Sequence, residues 1–306
     1  MAKVSGQSPN LHGQMMFYTL HFGSSSRTLK FMMRCRIPDF RTLCVALGMF
    51  VLLAFVGAAR CAAVEPTAAA VAGFTSYIDA VEVRLAQQHR SRVGFLAPMT
   101  PAADGGLRLE RGELIVERLT PSEGEEFPGA MLHHWRGTAF VRGARAADFE
   151  RLMRDFNSYP QHFSPQVQRA RVVTQQGDHL QAEMRVRQRH VITVVMDISY
   201  DIAFARFDAQ HGSSISRSTR ISEIDAAGSS AERALEPSQQ HGFLWRLNTY
   251  WSYEERDGGL AMQIESVSLT RSIPTGLGWA VGPFVESIPR ESLEFTLRSV
   301  CSALRR

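Results

Sequence analysis

From residue 166 to residue 271 the chain repeats one pattern: a run of alternating apolar and polar residues, a short turn, then another run. Runs at 166–175, 179–188, 190–207, 213–225, 242–256 and 259–271 each read as a strand. Gly177-Asp178 and Asp257-Gly258-Gly259 separate neighbouring runs as tight hairpins. A parallel crossover needs a dozen residues or more, so these neighbours are antiparallel. Two runs alternate most cleanly. In 190–207, Ile192, Val194, Met196, Ile198, Tyr200, Ile202 and Phe204 share a face, with Thr193, Asp197, Ser199 and Asp201 opposite. In 242–256, Phe243, Trp245, Leu247, Thr249, Trp251 and Tyr253 share a face, with Leu244, Arg246, Asn248, Tyr250, Ser252 and Glu254 opposite. That is the alternation of a half-buried antiparallel sheet.

Other elements flank this meander. Residues 131–141 read as a strand. Residues 146–156 read as a short helix with Phe149, Leu152, Met153 and Phe156 on one face, and a kinked helical segment follows through Tyr159-Pro160 to Phe163. Residues 226–241 form a longer polar connection. The stretch 277–304 is an amphipathic helical region interrupted at Pro283 and Pro289, with its longest free run from Arg290 onward. Upstream, 66–90 reads as a helix, because Phe74, Tyr77, Ile78, Val81 and Leu85 form one apolar stripe. Residues 91–106 read as a loop, 107–119 as a strand and 120–130 as a second loop. The expected organisation is an N-terminal helix-strand extension over 64–130 and a main domain over 131–306.

The first 63 residues differ from the rest. Arg34, Arg36 and Arg41 precede the apolar run 43–56, and small residues follow at Gly57, Ala58, Ala59, Ala62 and Ala63. A basic segment, an apolar core and an A-x-A-like end form an export signal. The 14-residue core falls short of the ~20 residues a spanning helix needs. The expectation is therefore a periplasmic or secreted protein cleaved near Ala63, the alternative being an inner-membrane anchor left uncleaved. Residues 1–31 have no part in the pattern, and Met32 or Met33 would be a more natural start.

This leader also explains the net charge of +4. Seven of the 34 basic residues and one of the 30 acids lie in 1–63, leaving 27 and 29, a formal −2 for 64–306. The main chain thus has no electrostatic case for binding nucleic acid. Its only lysines, Lys3 and Lys30, lie in the leader, which excludes a Schiff-base lysine downstream. Cys301 is the sole cysteine after the leader, so no internal disulfide forms, and its apolar helical position reads as a buried thiol.

One strand, two short helices, a long antiparallel meander and a final helix follow one another in that order. The segment GTAFVRGARAADFERLMRDFNSYPQHFSPQVQRARVV resembles the opening of START-like (SRPBCC) domains of the coenzyme-Q-binding and polyketide-cyclase type. The closing SLTRSIPTGLGWAVGPFVESIPRESLEFTLRSVCSAL resembles the lipid-transfer branch of the same superfamily. The resemblance covers about 131–304 and leaves 64–130 outside. It implies an α+β helix-grip fold, in which a curved sheet wraps the C-terminal helix around a hydrophobic cavity. The superfamily has no shared catalytic signature, so the resemblance implies no catalytic residue and no cofactor.

The residues themselves narrow the chemistry. His133 and His134 are adjacent and point to opposite strand faces, and no H-x-x-x-H or C-x-x-C spacing exists, so no metal site is expected. There is no G-x-S-x-G elbow, P-loop or dinucleotide fingerprint. Candidate ligand contacts are Met196, Tyr200, Trp245, Trp251 and Tyr253, with Phe284, Ile288 and Phe295 on the closing helix; the same aromatic faces would equally serve as solid core. Glu265 and Arg271 share a face of the last strand with Val267 and Leu269 between them. If that face is inward they would orient a polar head or act as acid and base; if outward they are surface charges. Arg185, Arg187 and Arg189 share a face with Glu183, and read as solvated charges or as a contact for an anionic headgroup at a membrane surface. Three functions remain open: a binder or carrier of a hydrophobic, lipid-like molecule, a cyclase or dehydratase using charged groups in the cavity, and an envelope interaction module without a ligand.

Overall fold

The alternating runs become six strands of one antiparallel sheet. A computed structural model describes residues 65–91, 94–99, 102–120, 126–189, 192–273 and 278–305, and for 102–104, 126 and 278–286 the backbone only. The leader reading falls outside these residues. In chain order the elements are α1 (Ala68–Gln88), α2 (Ala102–Glu110), β1 (Ile115–Arg118), β2 (Glu126–Phe127), β3 (Ala130–Arg142), α3 (Ala146–Arg154), α4 (Tyr159–His162), β4 (Val167–Gln176), β5 (His179–Arg189), β6 (Thr193–Arg206), β7 (His211–Asp225), β8 (Arg233–Ala234), β9 (Arg246–Arg256), β10 (Gly259–Arg271) and α5 (Gly278–Leu304). The sheet order is β1-β3-β10-β9-β7-β6-β5-β4, with β2 on β3 and β8 on β7. Every described pairing is antiparallel. The first and last long strands, β3 and β10, meet side by side, so the sheet order joins the two ends of the domain.

Turn chemistry sets the register locally. Between β9 and β10 only Asp257 and Gly258 lie in the loop, with φ of 53° and 69°. Two positive φ angles in succession define a type I′ turn, whose twist matches that of the strands, and Asp-Gly suits it. At the start of α3 no side chain of the preceding residue caps the helix; Glu255 of β9 accepts from the Ala146 N–H at 3.1 Å instead.

A helix covers each face of the sheet. On the inner face Leu293, Leu297 and Val300 of α5 pack with Phe149 and Met153 of α3 onto Ala139, Met262, Ile264 and Trp251. Gly137 makes this approach possible, since a Cβ there would stand 2.4 Å from Leu297 Cδ1. On the outer face the α1 stripe Phe74, Ile78, Val81 and Leu85 lies on Leu132, Tyr250, Val267 and Leu269. Thr67 accepts from the Ala70 N–H at 3.1 Å and starts that helix.

Three local expectations need correction. The loop read at 91–106 contains the first half of α2, which then takes up residues read as strand; only Ile115–Arg118 is strand. Burial of Leu109 against Ile115, Phe140 and Ala261 outweighs the helix-weakening pair Gly105-Gly106. The region 120–130 includes the two-residue strand β2. Finally, α5 runs unbroken through Pro283 and Pro289. A proline forfeits only its own i→i−4 bond, so the remaining hydrogen bonds can carry the helix through it with a bend. Beyond Pro289 the packing of Leu293, Leu297 and Val300 holds its path.

Candidate functional site

Towards α5 the packing is incomplete. A cavity of about 250 Å³ lies between the inner sheet face and α3, α4 and α5, a little below the roughly 300–1,000 Å³ of typical small-molecule sites. One wall is aromatic: Phe156, Tyr159 and Phe163, with ring centroids 4.3 Å apart for the first pair and 4.8 Å for the second. Met184 of β5, Met196, Ile198, Tyr200 and Ile202 of β6, Leu247 and Trp251 of β9, and Ile264 of β10 form the floor. Ile288, Leu293 and Phe295 of α5 close it, and Gln188 of β5 donates to Ser292 of α5 at 3.1 Å. Among the described residues no Asp, Glu, Lys, Arg or His side chain lines the cavity. Its polar groups are hydroxyls and two glutamines. Burial raises the Tyr200 phenol well above its ordinary pKa, and burial with Asp155 nearby does the same for Tyr159, so both stay neutral donors.

One edge of the cavity is set by a carboxylate. Phe243, 38% exposed, and Leu244 line it just before β9. Buried Glu223 of β7 holds the backbone ahead of them: one oxygen accepts from the Gly242 and Phe243 N–H groups at 3.0 and 3.1 Å, the other from the His241 N–H and ring Nδ1 at 2.9 and 2.7 Å. Gly242 turns there with φ 79°.

Of the residues singled out in the sequence, Met196, Tyr200, Trp251, Ile288 and Phe295 line this cavity. The Phe284 side chain lies outside the described atoms. Trp245 and Tyr253 do not line it. Trp245 lies in the bend between Gly242 and β9, so the strand's alternation does not reach it; its ring packs on the outer face with Tyr250 and Leu269. Tyr253 is on the inner face but beyond the cavity, tilted against Phe149 at 4.8 Å and donating to Glu150 at 2.5 Å.

Glu265 and Arg271 belong to the outer face, because Ile264, Ser266, Ser268 and Thr270 take the inner one. They stand six residues apart along one strand, roughly 20 Å, and form no acid-base pair. Glu265 is no surface charge either: α1 covers it, leaving 3% exposed. Arg84 of α1 pairs with one carboxylate oxygen. His134 Nε2 donates to that same oxygen at 2.9 Å, and Arg136 Nε donates to the other at 3.0 Å. Burial alone would raise the Glu265 carboxyl; the His134 bond and the charges around it outweigh that and bring it to about 2. Burial lowers the His134 pKa, and a neutral ring suits both its contacts, with Nδ1 accepting from Tyr77 at 2.9 Å. This cluster docks α1 and has no access to the cavity. Arg185 is likewise not solvated: it is buried, bidentate to Asp197 at 2.6 and 2.7 Å and bonded to Glu232 at 2.5 Å. His133 and His134 point to opposite faces, and among the described residues no three potential metal-ligating side chains cluster.

Sequence reasoning missed the aromatic wall that Phe156, Tyr159 and Phe163 build on and around α4, and the hydroxyls of β7, β9 and β10. The signal for the latter was present in the S-x-S-x-T spacing of Ser266, Ser268 and Thr270. It went unread because the opposite face, with Glu265, Val267 and Leu269, is equally buried.

No protein-family profile matches the chain, and no curated protein matches it. Solved structures do resemble it. A Thermus thermophilus protein matches 55% of this chain and 94% of its own at 13% identity, with a TM-score of 0.40. A STAR-related lipid transfer protein from Xanthomonas axonopodis matches 60% and 97% at 16% identity and 0.39. A Streptomyces aromatase/cyclase matches 57% and 94% at 12% identity and 0.38. Scores this low add nothing to the topology described above. It is the antiparallel sheet order from β1 to β4, closed by α5 over its inner face, that gives this chain the helix-grip α+β fold.

Proposed function

We propose that this protein binds and carries one hydrophobic, lipid-like molecule in the cavity beneath α5. The observation that carries this reading is the lining itself: an interior space walled by Phe, Tyr, Trp, Met, Ile and Leu, with no charged side chain among the described residues. A largely apolar space favours apolar surface over water, while for acid-base chemistry the described lining offers only the neutral phenols of Tyr159 and Tyr200. Native mass spectrometry with solvent extraction of the purified chain tests it. A hydrophobic molecule should co-purify or load at one per chain; a protein that takes up no such molecule overturns the reading.

The place of action in this proposal is the cell envelope, supported by the basic segment, apolar core and small-residue end over 34–63. No described helix is long and apolar enough to cross a membrane. The mass of the envelope-derived protein is the test. A chain beginning near Val64 supports cleavage and release, and an intact apolar core supports the anchored alternative. Loading from a membrane would bring the Phe243 edge to the bilayer surface.

A further inference from the structure

The strand register places three hydroxyl side chains in a row across the cavity floor. Ser216 of β7 is opposite Thr249 of β9, and Thr249 is opposite Ser266 of β10. All three line the cavity. Adjacent strands lie about 4.8 Å apart, so the row spans roughly 10 Å. No protein group among the described residues bonds to any of the three side chains, and their oxygens are not sealed off from the cavity. Of the other hydroxyls around the cavity, Ser292 accepts from Gln188, Thr296 donates to the Ser292 carbonyl at 2.9 Å and Thr270 meets His133 at 3.1 Å. Tyr159 donates to the Met153 carbonyl at 3.0 Å, while Ser268 and Tyr200 flank the row on the same face.

A hydroxyl facing an apolar space is costly unless something bonds to it, and any partner must come from what enters the cavity. Among the described residues the lining offers no cation to a carboxylate or phosphate and no anion to an amine, so a charged ligand would lose its hydration with no counter-charge in return. We infer, building on the binding role proposed above, that Ser216, Thr249 and Ser266 select an uncharged apolar ligand bearing oxygen atoms, an alcohol, ketone or ester, over the hydrocarbon or acid of the same skeleton.

Three probes of one skeleton test this at pH 7 by calorimetric titration: naphthalene, 2-naphthol and 2-naphthoate. One buried hydrogen bond is worth about tenfold in affinity, so naphthol should bind roughly ten times tighter than naphthalene. Naphthoate should bind at least about a hundredfold more weakly than naphthol, from uncompensated desolvation. Thr249→Val keeps shape and strand propensity, and should erase the naphthol advantage while leaving naphthalene within about twofold. If that variant does not fold, Ser216→Ala and Ser266→Ala carry the same comparison. Equal binding of naphthol and naphthalene, or a preference for naphthoate, overturns the selection while leaving the binding role intact. Failure of all three probes to bind overturns both.

Discussion

Glu265 shows how a charge can be buried deeply without serving the cavity. Its carboxylate meets two arginines and a neutral histidine between α1 and the sheet. Removing one partner of a buried ion pair leaves the other uncompensated and typically costs about 3–5 kcal/mol. Arg84 is 40% exposed and recovers part of its hydration, which places Glu265→Gln near the lower end of that range. Urea denaturation should show a loss of about 3 kcal/mol, with probe binding in the cavity unchanged because the residue lies on the opposite face. An unchanged midpoint together with lost binding would contradict that placement.

Two histidines, buried His133 and half-buried His89, make acid stability a second residue-scale consequence. Burial, with Arg118 nearby, lowers His133 to about 4, and burial chiefly lowers His89 to about 4. Between pH 6.5 and 4 the unfolded chain takes up protons that the folded chain refuses, so stability falls as pH falls through that window. Glu265, depressed to about 2, stabilises above pH 4.5 and loses that contribution as pH drops towards 2. Both effects have the same sign. The thermal midpoint should decline steadily from pH 7 to pH 4, with His133 contributing up to about 3 kcal/mol. His133→Gln should flatten the decline, and a wild-type midpoint level across that range would refute the assignment.

At the scale of elements, the seat of α5 depends on a missing side chain. Leu297 occupies the space a Cβ at position 137 would need, with Leu293 3.3 Å away. Leu297 is fully buried and has little room to turn aside. Gly137→Ala should therefore push α5 outward and destabilise the fold by about 1–3 kcal/mol, as overpacking does. The cavity lies under the same helix, so the variant should also release a bound probe faster. Stopped-flow dissociation beside a denaturation curve measures both; no change in either would mean that α5 does not rest where Gly137 admits it. On the other sheet face α1 adds an apolar stripe flanked by ion pairs, Arg84 to Glu265 and Glu82 to Arg217, the latter at 2.9 and 2.6 Å.

For the whole molecule, this second helix decides what counts as the domain. The sequence resemblance starts near residue 131, which makes 64–130 look like an addition. In the structure the outer face beneath α1 includes Trp245, Tyr250, Val267 and Leu269, all buried. Without α1 this apolar area and the Glu265 cluster would face water. A chain starting at residue 126 should aggregate, or unfold at much lower denaturant than one starting at residue 64. Equal stability of the two would show that the extension is dispensable. Sedimentation and urea unfolding of both chains give the answer.

The elements that were legible in the sequence are those whose causes are local. Strand period, the Asp257-Gly258 turn and the α1 stripe each depend on residues within a few positions, and β6, β9, β10 and α1 lie close to where the pattern puts them. The order of strands and helices was legible for the same reason. What the sequence left undecided was direction. When one sheet face meets solvent, alternation alone tells inside from outside. Here α5 covers one face and α1 with α2 the other, so β10 alternates between two buried sets: Ile264, Ser266 and Ser268 inward, Glu265, Val267 and Leu269 outward. Only the tertiary structure could assign Glu265 to an ion-pair cluster, Trp245 to the packing beneath α1, and Ser216, Thr249 and Ser266 to one row, because each assignment depends on contacts between residues far apart in the chain.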